Sequence, residues 1–492
     1  MKLILFFLFS FFSIKGCLLS QTTFNKTIDF ANGDEVGWSL VEQDDGYILI
    51  GGGWGIEIGD YFDQKLKFAK TDLEGNILWT NFIGEPSIHL FCGPQSGIVT
   101  QDENIVFCGS KLSAITYSAI LVKFNPNTGD TIFLKEFDFD DDLKGLQVME
   151  LSDGNLIILA TDDNDIYGSI LIKTTADGEF IWQKPYGNSN EIASTSFDIK
   201  NDTIYLVSRN LFCTPEGYKI RSIDIDGEII QELLFDEDCP SMGFLSNQGG
   251  YYGVGANFPV PPYQSFVYRT DIDGNIQWHY NTSFDLDTLE YEDLFPELIR
   301  ELPNGDLIVG GYFASNYLGT YFGLISKINT NGEPYWERIY ISSIDVYDDS
   351  RLLDMEIGSA GEIVLLGSGF SEIGIENQNF WLLKLDSLGC LVPGCDSMDV
   401  QTFDITIDND QISVYPTPSN GYVTISTQLT QSGLFLIELI NISNQTVFRK
   451  EDVYIAEGKF ETTIHLEDLP SGMYLITLTS AEFKTSLKMM KK

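Results

Sequence analysis

A short motif that recurs seven times is the sequence feature that most constrains how this chain folds. In each copy a basic or polar residue precedes an acidic or polar cluster and a glycine, usually followed four residues later by a tryptophan. The motif glycines are Gly75, Gly129, Gly178, Gly227, Gly274, Gly332 and Gly389, spaced 47 to 58 residues apart. The aromatic residues are Trp79, Phe133, Trp182, Trp278 and Trp336. A period of this length is typical of repeat architectures and argues against one compact enzyme domain.

The residues between successive motifs predict four short strands per unit. Segments 43–51, 151–159 and 302–311 each contain an Asp-Gly or Asn-Gly turn that leads into an apolar run. Such turns are the strongest short-range hairpin signal, because they need positive φ angles. A third strand leads into the motif glycine and a fourth carries the aromatic residue. Seven units of four antiparallel strands predict an all-β, seven-bladed β-propeller.

The two ends of the repeat region complement each other. Segment 23–30 resembles the fourth strands of the other units, whereas the seventh unit stops at 389–395 without a fourth strand of its own. We therefore expect the N-terminal strand to complete the last blade and close the ring. Closure removes an exposed strand edge that would otherwise favour aggregation.

The repeated motif is interpreted as structural. A tryptophan found once per blade at a fixed offset is expected to pack between neighbouring blades, where it buries a large apolar area. Segments 224–227 and 271–274 have the form Asp-x-Asp-Gly, which also suggests a calcium loop. Both lack other ligands that an EF-hand loop requires, which favours hairpin turns. No cofactor is expected, with calcium as the alternative.

The charge of the chain restricts its partners. The formal net charge is −43; residues 1–20 carry +2 and residues 411–492 carry seven basic and eight acidic groups, which leaves about −44 on residues 21–410. A surface this acidic repels nucleic acid and anionic membranes. It is compatible with cations or basic partners, and equally with a solvated surface that binds nothing.

The N-terminus predicts export. Lys2 precedes an apolar run at 3–12 that is too short to span a bilayer, and polar sequence follows. We predict a signal peptide at 1–20, cleaved between Ser20 and Gln21. The alternative is a lipoprotein site with Cys17 as the acylated residue. No later segment is apolar for long enough to form a transmembrane helix.

Cysteine usage agrees with an oxidising compartment. The six cysteines after Cys17 fall into local pairs that predict three disulfides. These pairs are Cys92 with Cys108, Cys213 with Cys239, and Cys390 with Cys395. The alternative is that some are buried free thiols. Zinc is not expected, because the chain has three histidines and no close CxxC pair.

Blade topology indicates where a ligand would bind. The turns between strands one and two and between three and four are tight and lie on one face of the ring. The other loops are long, differ from unit to unit and lie on the opposite face, which we call the variable-loop face; such loops carry function on rigid scaffolds. Ligand candidates there are Trp54, Tyr61, Asp140, Asp141, Asp163, Tyr263, Tyr312 and Asp348, with Tyr117, Tyr167, Phe258 and Tyr317 as further aromatic residues. A carbohydrate, a basic protein surface or divalent cations would fit this composition, and a merely solvated loop face is the alternative.

The last part of the chain differs from the repeats. Residues 396–410 are polar and repeat-free, as expected of a linker, and 411–492 alternate in a pattern that predicts a small, immunoglobulin-like β-sandwich. This module resembles the type A C-terminal sorting domain of the type IX secretion system of Bacteroidetes. The matching residues are Tyr415, Pro416, Pro418 and Gly421, then Leu469, Gly472 and Tyr474, then a basic end at Lys488, Lys491 and Lys492.

The resemblance implies a route and leaves the activity open. It implies that type IX secretion machinery carries residues 21–395 across the outer membrane, after passage through the periplasm, to be released or held at the cell surface. The propeller units resemble repeats of other exported Bacteroidetes proteins.

No catalytic residue is predicted from the sequence. The chain contains no nucleophile elbow, Walker loop or HExxH motif. We therefore expect an exported binding or adhesion protein. The alternative is a glycoside hydrolase that uses a pair of carboxylates on the propeller.

Overall fold

The protein consists of β-strands joined by turns throughout the part of the chain that the computed structural model describes. The described residues are 22–30, 34–54, 64–85, 88–113, 115–139, 142–162, 168–187, 191–210, 218–235, 242–257, 264–282, 292–315, 320–342, 350–370, 378–391, 412–415, 421–429, 433–441, 446–455, 458–466, 469, 472–479 and 484–491. The chain divides into two compact units. One comprises 1–343 and 347–395, and the other 344–346 and 396–492.

The first unit contains seven four-stranded antiparallel sheets, which we call blades 1 to 7. β1 (Phe24–Ile28) precedes blade 1, which contains β2 (Asp34–Gln43), β3 (Gly46–Trp54), β4 (Gln64–Thr71) and β5 (Ile77–Ile83). Blade 2 contains β6 (His89–Val99), β7 (Ile105–Ser113), β8 (Thr116–Phe124) and β9 (Thr131–Phe137). Blade 3 contains β10 (Leu143–Glu150), β11 (Leu156–Asp162), β12 (Ser169–Thr174) and β13 (Phe180–Tyr186).

Blades 4 to 6 repeat this order. Blade 4 contains β14 (Glu191–Lys200), β15 (Thr203–Asn210), β16 (Tyr218–Ile223) and β17 (Ile229–Phe235). Blade 5 contains β18 (Met242–Leu245), β19 (Tyr251–Asn257), β20 (Gln264–Thr270) and β21 (Ile276–Thr282). Blade 6 contains β22 (Glu292–Glu301), β23 (Leu307–Ser315), β24 (Thr320–Ile328) and β25 (Pro334–Tyr340).

Blade 7 joins the two ends of the repeat region. Its strands β26 (Arg351–Ile357), β27 (Ile363–Phe370) and β28 (Gln378–Leu385) are completed by β1, in the order β1-β28-β27-β26. Phe24 lies opposite Lys384 and Ile28 lies opposite Phe380 in an antiparallel pairing. The prediction that the N-terminal strand completes the last blade is confirmed, and with it the seven-bladed propeller.

The motif glycines are the tight turns between the third and fourth strands. All seven have φ between 73° and 90°, a region that favours glycine. A Cβ on each would meet an aromatic ring from the fourth strand of the preceding blade. The pairs are Phe24 with Gly75, Trp79 with Gly129, Phe133 with Gly178, Trp182 with Gly227, Phe235 with Gly274, Trp278 with Gly332 and Trp336 with Gly389. The aromatic residues therefore pack between blades around the whole ring, as predicted.

The basic residue that opens the motif also joins neighbouring blades. Lys123 Nζ donates to the carbonyl of Ala176 (3.3 Å), and Lys173 Nζ donates to that of Ile225 (2.9 Å), in each case on the tight turn of the next blade. Lys384 of blade 7 reaches the carbonyl of Leu73 in blade 1 in the same way (3.3 Å). These lysines are buried. The residues of the motif therefore hold neighbouring blades together by packing and hydrogen bonding.

The predicted disulfide between Cys92 and Cys108 is wrong. Both cysteines are free and buried. Cys92 pairs with Gly109, so Cys108 is offset by one residue, and successive side chains of a strand point to opposite faces. Accordingly, Cys92 packs in the apolar core toward blade 1 and Cys108 in the core toward blade 3. Burial raises the pKa of both thiols.

The other predicted disulfides fall partly outside the described residues. Cys390 is disulfide-bonded. Cys213, Cys239 and Cys395 are not among the described residues. The pairing of Cys390 with Cys395, and that of Cys213 with Cys239, therefore remain predictions.

The second unit contains two antiparallel sheets. β29 (Ile412–Tyr415), β30 (Tyr422–Leu429) and β33 (Gly458–His465) form one sheet; β32 (Thr446–Ile455), β31 (Gly433–Asn441), β34 (Gly472–Thr479) and β35 (Lys484–Lys491) form the other. A single apolar core takes Val423 and Ile464 from the first sheet, and Leu439, Ile476 and Met489 from the second. The two sheets therefore face each other across one core, as in a sandwich.

Candidate functional site

One of the eight predicted ligand residues, Tyr312, has a described side chain. Trp54 is the last residue of β3, where the backbone alone is described. The predicted residues that lie outside the described ranges are Tyr61, Asp140, Asp141, Asp163, Tyr263 and Asp348. Asp162, next to Asp163, ends β11. The role of these loop residues remains a prediction.

The Asp-x-Asp-Gly segments are hairpin turns, as predicted. Asp271 Oδ1 accepts hydrogen bonds from the backbone N–H groups of Asp273 (3.0 Å) and Asn275 (2.8 Å). Asp224 Oδ1 accepts equivalent bonds from Asp226 (3.0 Å) and Glu228 (2.8 Å). The hydrogen bonds from Asn275 lower the pKa of Asp271. Each of these carboxylates is thus used to hold its own turn.

Four polar side chains lie close together near the ring axis, and we call them the axial cluster: Gln95, Arg300, Asp354 and Glu356. The first strands of the blades surround the central channel, and in six of them a β-bulge interrupts the pairing at a corresponding place. A bulge redirects side chains. Gln95, in the bulge of β6, has a φ of 54°, which is uncommon for a residue other than glycine.

Gln95 bridges blades on opposite sides of the channel. Arg300 Nη1 of blade 6 donates to Gln95 Oε1 of blade 2 (3.2 Å), and Gln95 Nε2 donates to the carbonyl of Glu297 (3.4 Å). Blades 2 and 6 are not neighbours in the ring, so these bonds cross the axis. They use a strained backbone conformation to hold the centre of the propeller together.

The carboxylates beside Arg300 make mainly structural contacts. Arg300 Nη2 lies 3.3 Å from Asp354 Oδ1 and 3.8 Å from Glu356 Oε1. Asp354 Oδ2 also accepts the backbone N–H of Leu40 (2.7 Å) and the hydroxyl of Ser39 (3.2 Å), both in blade 1. Burial raises the pKa of Asp354 and of Glu356, and the charge of Arg300 opposes both shifts. Asp354 therefore connects blades 1, 6 and 7.

A cation and two tyrosines meet at the junction of blades 6 and 7. The guanidinium carbon of Arg351, on β26, lies 3.9 Å from the centroid of the Tyr321 ring on β24 and 5.7 Å from that of Tyr312 on β23. The two tyrosine rings are 5.6 Å apart, edge to face. Burial raises the pKa of Glu297, and the charge of Arg351 and a hydrogen bond from Tyr312 oppose that shift. All four side chains are partly exposed.

A similar group lies at the junction of blades 2 and 3. Lys144 Nζ, on β10, lies 4.2 Å from the centroid of the Tyr117 ring on β8. The ring of Phe91 lies 6.0 Å from that of Tyr117. The carboxylate of Asp142 accepts the backbone N–H of Tyr117, which fixes the start of β8. In both groups the tyrosine ring stacked with the cation lies at the start of a third strand, and the cation lies at the start of a first strand. These strand ends adjoin the variable loops, so both groups are on the variable-loop face.

Among the described residues, no set of three or more His, Cys, Asp or Glu side chains is arranged to hold a metal ion. The same part of the chain contains no helix that is long and apolar enough to cross a membrane.

In the second unit, several of the predicted sorting residues stabilise one turn. The carbonyl of Gly421 accepts the backbone N–H of Leu466 (2.8 Å), and the carbonyl of Leu466 accepts that of Leu469 (3.0 Å). Lys491 is buried, and its ammonium group donates to the carbonyls of both Leu466 and Leu469. The basic end of the chain thus closes the turn that precedes β34.

The remaining predicted sorting residues lie as follows. Tyr415 is exposed and its hydroxyl donates to Glu461 Oε1 (3.2 Å), whereas Tyr474 is buried in the core. Gly472 and Lys488 lie on β34 and β35. Pro416, Pro418 and Lys492 fall outside the described residues.

Comparison with known families identifies this unit. Residues 413–492 match the family model described as "Secretion system C-terminal sorting domain". Residues 413–492 are a secretion-system C-terminal sorting domain. The domain indicates export by the type IX system, interaction with the machinery of that system, and a secreted or cell-surface location. The resemblance inferred from the motifs of the sequence is thereby confirmed.

Solved structures similar to the chain include several propellers. One is the Dos1 propeller, with 9% identity, a TM-score of 0.44 and coverage of 74% of this chain and 94% of that one. A second is the β-propeller domain of the Trilobed protease from Pyrococcus furiosus, with 10% identity, a TM-score of 0.42 and coverage of 76% and 100%.

A third similar structure covers more of the chain. It is PorZ, a surface component of the type IX secretion system of Porphyromonas gingivalis, with 10% identity, a TM-score of 0.27 and coverage of 96% of this chain and 87% of that one. No curated protein matches the chain.

Reasoning from the sequence missed the axial cluster and the cations Lys144 and Arg351. Gln95 and Arg300 are 205 residues apart, and no local pattern connects them. A signal for the tyrosines does exist: Tyr117 and Tyr321 both lie six residues before the basic residue of their motif, Lys123 and Lys327. Aligning the units on that residue would have singled out the position.

Proposed function

We propose that this protein is an exported, non-enzymatic binding or adhesion protein whose propeller takes its ligand on the variable-loop face. In this proposal residues 1–20 are a signal peptide cleaved between Ser20 and Gln21, and the C-terminal domain directs passage across the outer membrane. The mature propeller then acts outside the cell. The tight turns of the opposite face have no part in recognition, because packing and hydrogen bonds within the ring occupy them.

One observation carries the preference for binding over catalysis. The buried carboxylate of the axial cluster, Asp354, already accepts hydrogen bonds from Leu40, Ser39 and Met355 in addition to its contact with Arg300. A catalytic acid or base must have an oxygen within hydrogen-bond reach of a substrate atom. The partly exposed groups at the blade junctions are mostly aromatic and cationic, and the one carboxylate among them, Glu297, interacts with Arg351 and Tyr312. This composition is suited to recognition.

A glycoside hydrolase is the second candidate. Asp354 and Glu356 both have an oxygen within 4 Å of a single Arg300 nitrogen, so the two carboxyl groups are near neighbours, as a glycosidase pair must be. Burial raises the pKa of both groups, as a general acid requires.

The test uses the secreted full-length protein on an array of polysaccharides and of basic and acidic proteins. We expect retention of at least one array member and no new reducing ends after prolonged incubation with any glycan. Release of reducing ends that Glu356→Gln abolishes would replace the binding proposal with the hydrolase. A control variant, Glu136→Gln, alters a surface carboxylate paired with Lys111 and leaves either result unchanged.

A further inference from the structure

The two cation–tyrosine groups occupy equivalent positions in the repeat. Tyr117 and Tyr321 are each the second residue of a third strand. Lys144 and Arg351 each stand on the first strand of the following blade, directly before the residue at which the bulge begins. Among the described residues, the same contact between a cation and a tyrosine ring is therefore found twice, at the junction of blades 2 and 3 and at that of blades 6 and 7.

Each group has a second aromatic ring and a backbone clamp. Phe91 stands 6.0 Å from Tyr117, and Tyr312 stands 5.6 Å from Tyr321. The loop that leads into the next blade is tied to each tyrosine: Asp142 accepts the backbone N–H of Tyr117, and Ser350 donates its backbone N–H to the carbonyl of Tyr321 (3.0 Å). The rings are thus held in place before any ligand arrives, which reduces the entropy lost on binding.

Docking of one blade on the next does not require these pairs. The position of Tyr117 and Tyr321, six residues before the basic residue of the motif, also holds a tyrosine in blades 3 and 5, Tyr167 and Tyr263, both outside the described residues. In blades 1 and 7 it holds Gln64 and Gln378. The junctions that follow those two blades are nevertheless closed by the aromatic–glycine contacts and lysine bonds of the opposite face. The pairs are an addition to the common scaffold, on the face whose loops vary.

We propose that the two groups are equivalent subsites for one neutral polysaccharide. This inference rests on the proposed binding function and names its ligand class and contact residues. A tyrosine ring offers a flat apolar face to the C–H groups of a sugar, and Lys144 and Arg351 offer hydrogen-bond donors to its hydroxyls. The charge of about −44 on residues 21–410 opposes a polyanion, which favours an uncharged chain.

Two subsites on one face make the binding bivalent. The junctions are separated by four blades in one direction around the ring and by three in the other, so they lie on opposite sides of the face. A polysaccharide long enough to reach both gains affinity because its second contact is intramolecular. Short oligosaccharides reach one subsite only and bind weakly.

The experiment measures retention of the full-length secreted protein on four immobilised polysaccharides: laminarin, mannan, xylan and polygalacturonate. We expect binding to at least one of the three neutral chains and tighter binding to it than to polygalacturonate. Tyr117→Ala and Tyr321→Ala each weaken that binding by about tenfold or more, because one subsite is left and bivalent attachment is lost. The double variant weakens it by about 100-fold or more, because both subsites are lost.

Matched variants separate recognition from folding. Tyr335→Ala is the control, because Tyr335 is an exposed tyrosine with a cation, Lys327, 5.8 Å from its ring, but it lies beside the opposite face. Its binding should equal that of the wild type. Tyr321→Phe keeps the ring and should retain binding, whereas Lys144→Gln and Arg351→Gln provide readouts if an alanine variant fails to fold.

The outcomes distinguish this inference from the function on which it rests. Retention on a neutral chain that none of the tyrosine or cation variants reduces overturns the subsites and leaves a binding protein. Tighter retention on polygalacturonate overturns the ligand class. Absence of retention on all four chains overturns the inference, and cleavage of any chain overturns the proposed function itself.

Discussion

Asp354 provides the sharpest test of how the ring is closed. Replacing it with alanine leaves the buried backbone N–H groups of Leu40 and Met355 without the acceptor they have at 2.7 Å. Each buried donor left without a partner costs about 1–3 kcal/mol. Removal of a desolvated carboxylate offsets part of that loss. We therefore expect Asp354→Ala to lower the free energy of unfolding by about 3 kcal/mol.

Asp354→Asn keeps an acceptor oxygen and should lower the free energy of unfolding by about 1 kcal/mol or less near neutral pH. The difference in stability between the wild type and Asp354→Asn should also depend on pH, in a direction that the pKa of Asp354 fixes. Because burial raises the folded-state pKa of Asp354, the native protein binds more protons than the unfolded chain above about pH 4. The contribution of Asp354 to stability is thus full below that pH and declines as the pH rises, by at most about 1.4 kcal/mol per unit.

Urea unfolding followed by tryptophan fluorescence from pH 4 to 8 measures this difference. The stability of the wild type relative to Asp354→Asn should fall as the pH increases. A control, Asp224→Ala, removes a carboxylate that also accepts two backbone N–H groups, but at the surface, and should have a smaller effect. A constant or rising difference between wild type and Asp354→Asn would refute the reasoning.

Two further predictions concern the turns. Gly129→Ala places a Cβ 3.0 Å from the Trp79 ring at a φ of 74° and should lower the urea midpoint of unfolding. The control is Gly249→Ala, which has a φ of 87° but open space around it and should lower the midpoint less. Equal effects of the two variants would argue against the inter-blade role of the Trp79 ring. Lys491→Met should destabilise the C-terminal domain by about 2 kcal/mol and reduce secretion, because the carbonyls of Leu466 and Leu469 lose their donor. The control Lys450→Met changes an exposed lysine and should do neither. Normal secretion of Lys491→Met would show that the buried contact is dispensable.

Features that depend on local sequence were predictable. A turn glycine at φ near 74° and an aromatic residue four positions later are set by neighbouring residues, so Gly75, Gly129 and Gly178 could be assigned without a structure. The closing strand followed from a mismatch between the two ends of the repeat. The sorting domain followed from three short motifs in order.

Features that depend on register and on distant contacts were not predictable. The disulfide between Cys92 and Cys108 was expected from spacing, but a one-residue offset in register places the two thiols on opposite faces of the blade. The bond from Arg300 to Gln95 joins strands that meet only when the ring closes. The cations Lys144 and Arg351 belong to a different unit from the tyrosines they contact.

The central claim is that the seven tight turns build the scaffold and the variable-loop face binds the ligand. Hydrogen–deuterium exchange of the full-length protein, with and without the polysaccharide retained most strongly on the four-member panel, tests it directly. We predict slower exchange on ligand addition at 115–118, 142–145, 320–323 and 350–353, with no change at the turns 72–76 and 125–130. Protection confined to the tight turns, with none at the blade junctions, would contradict the account.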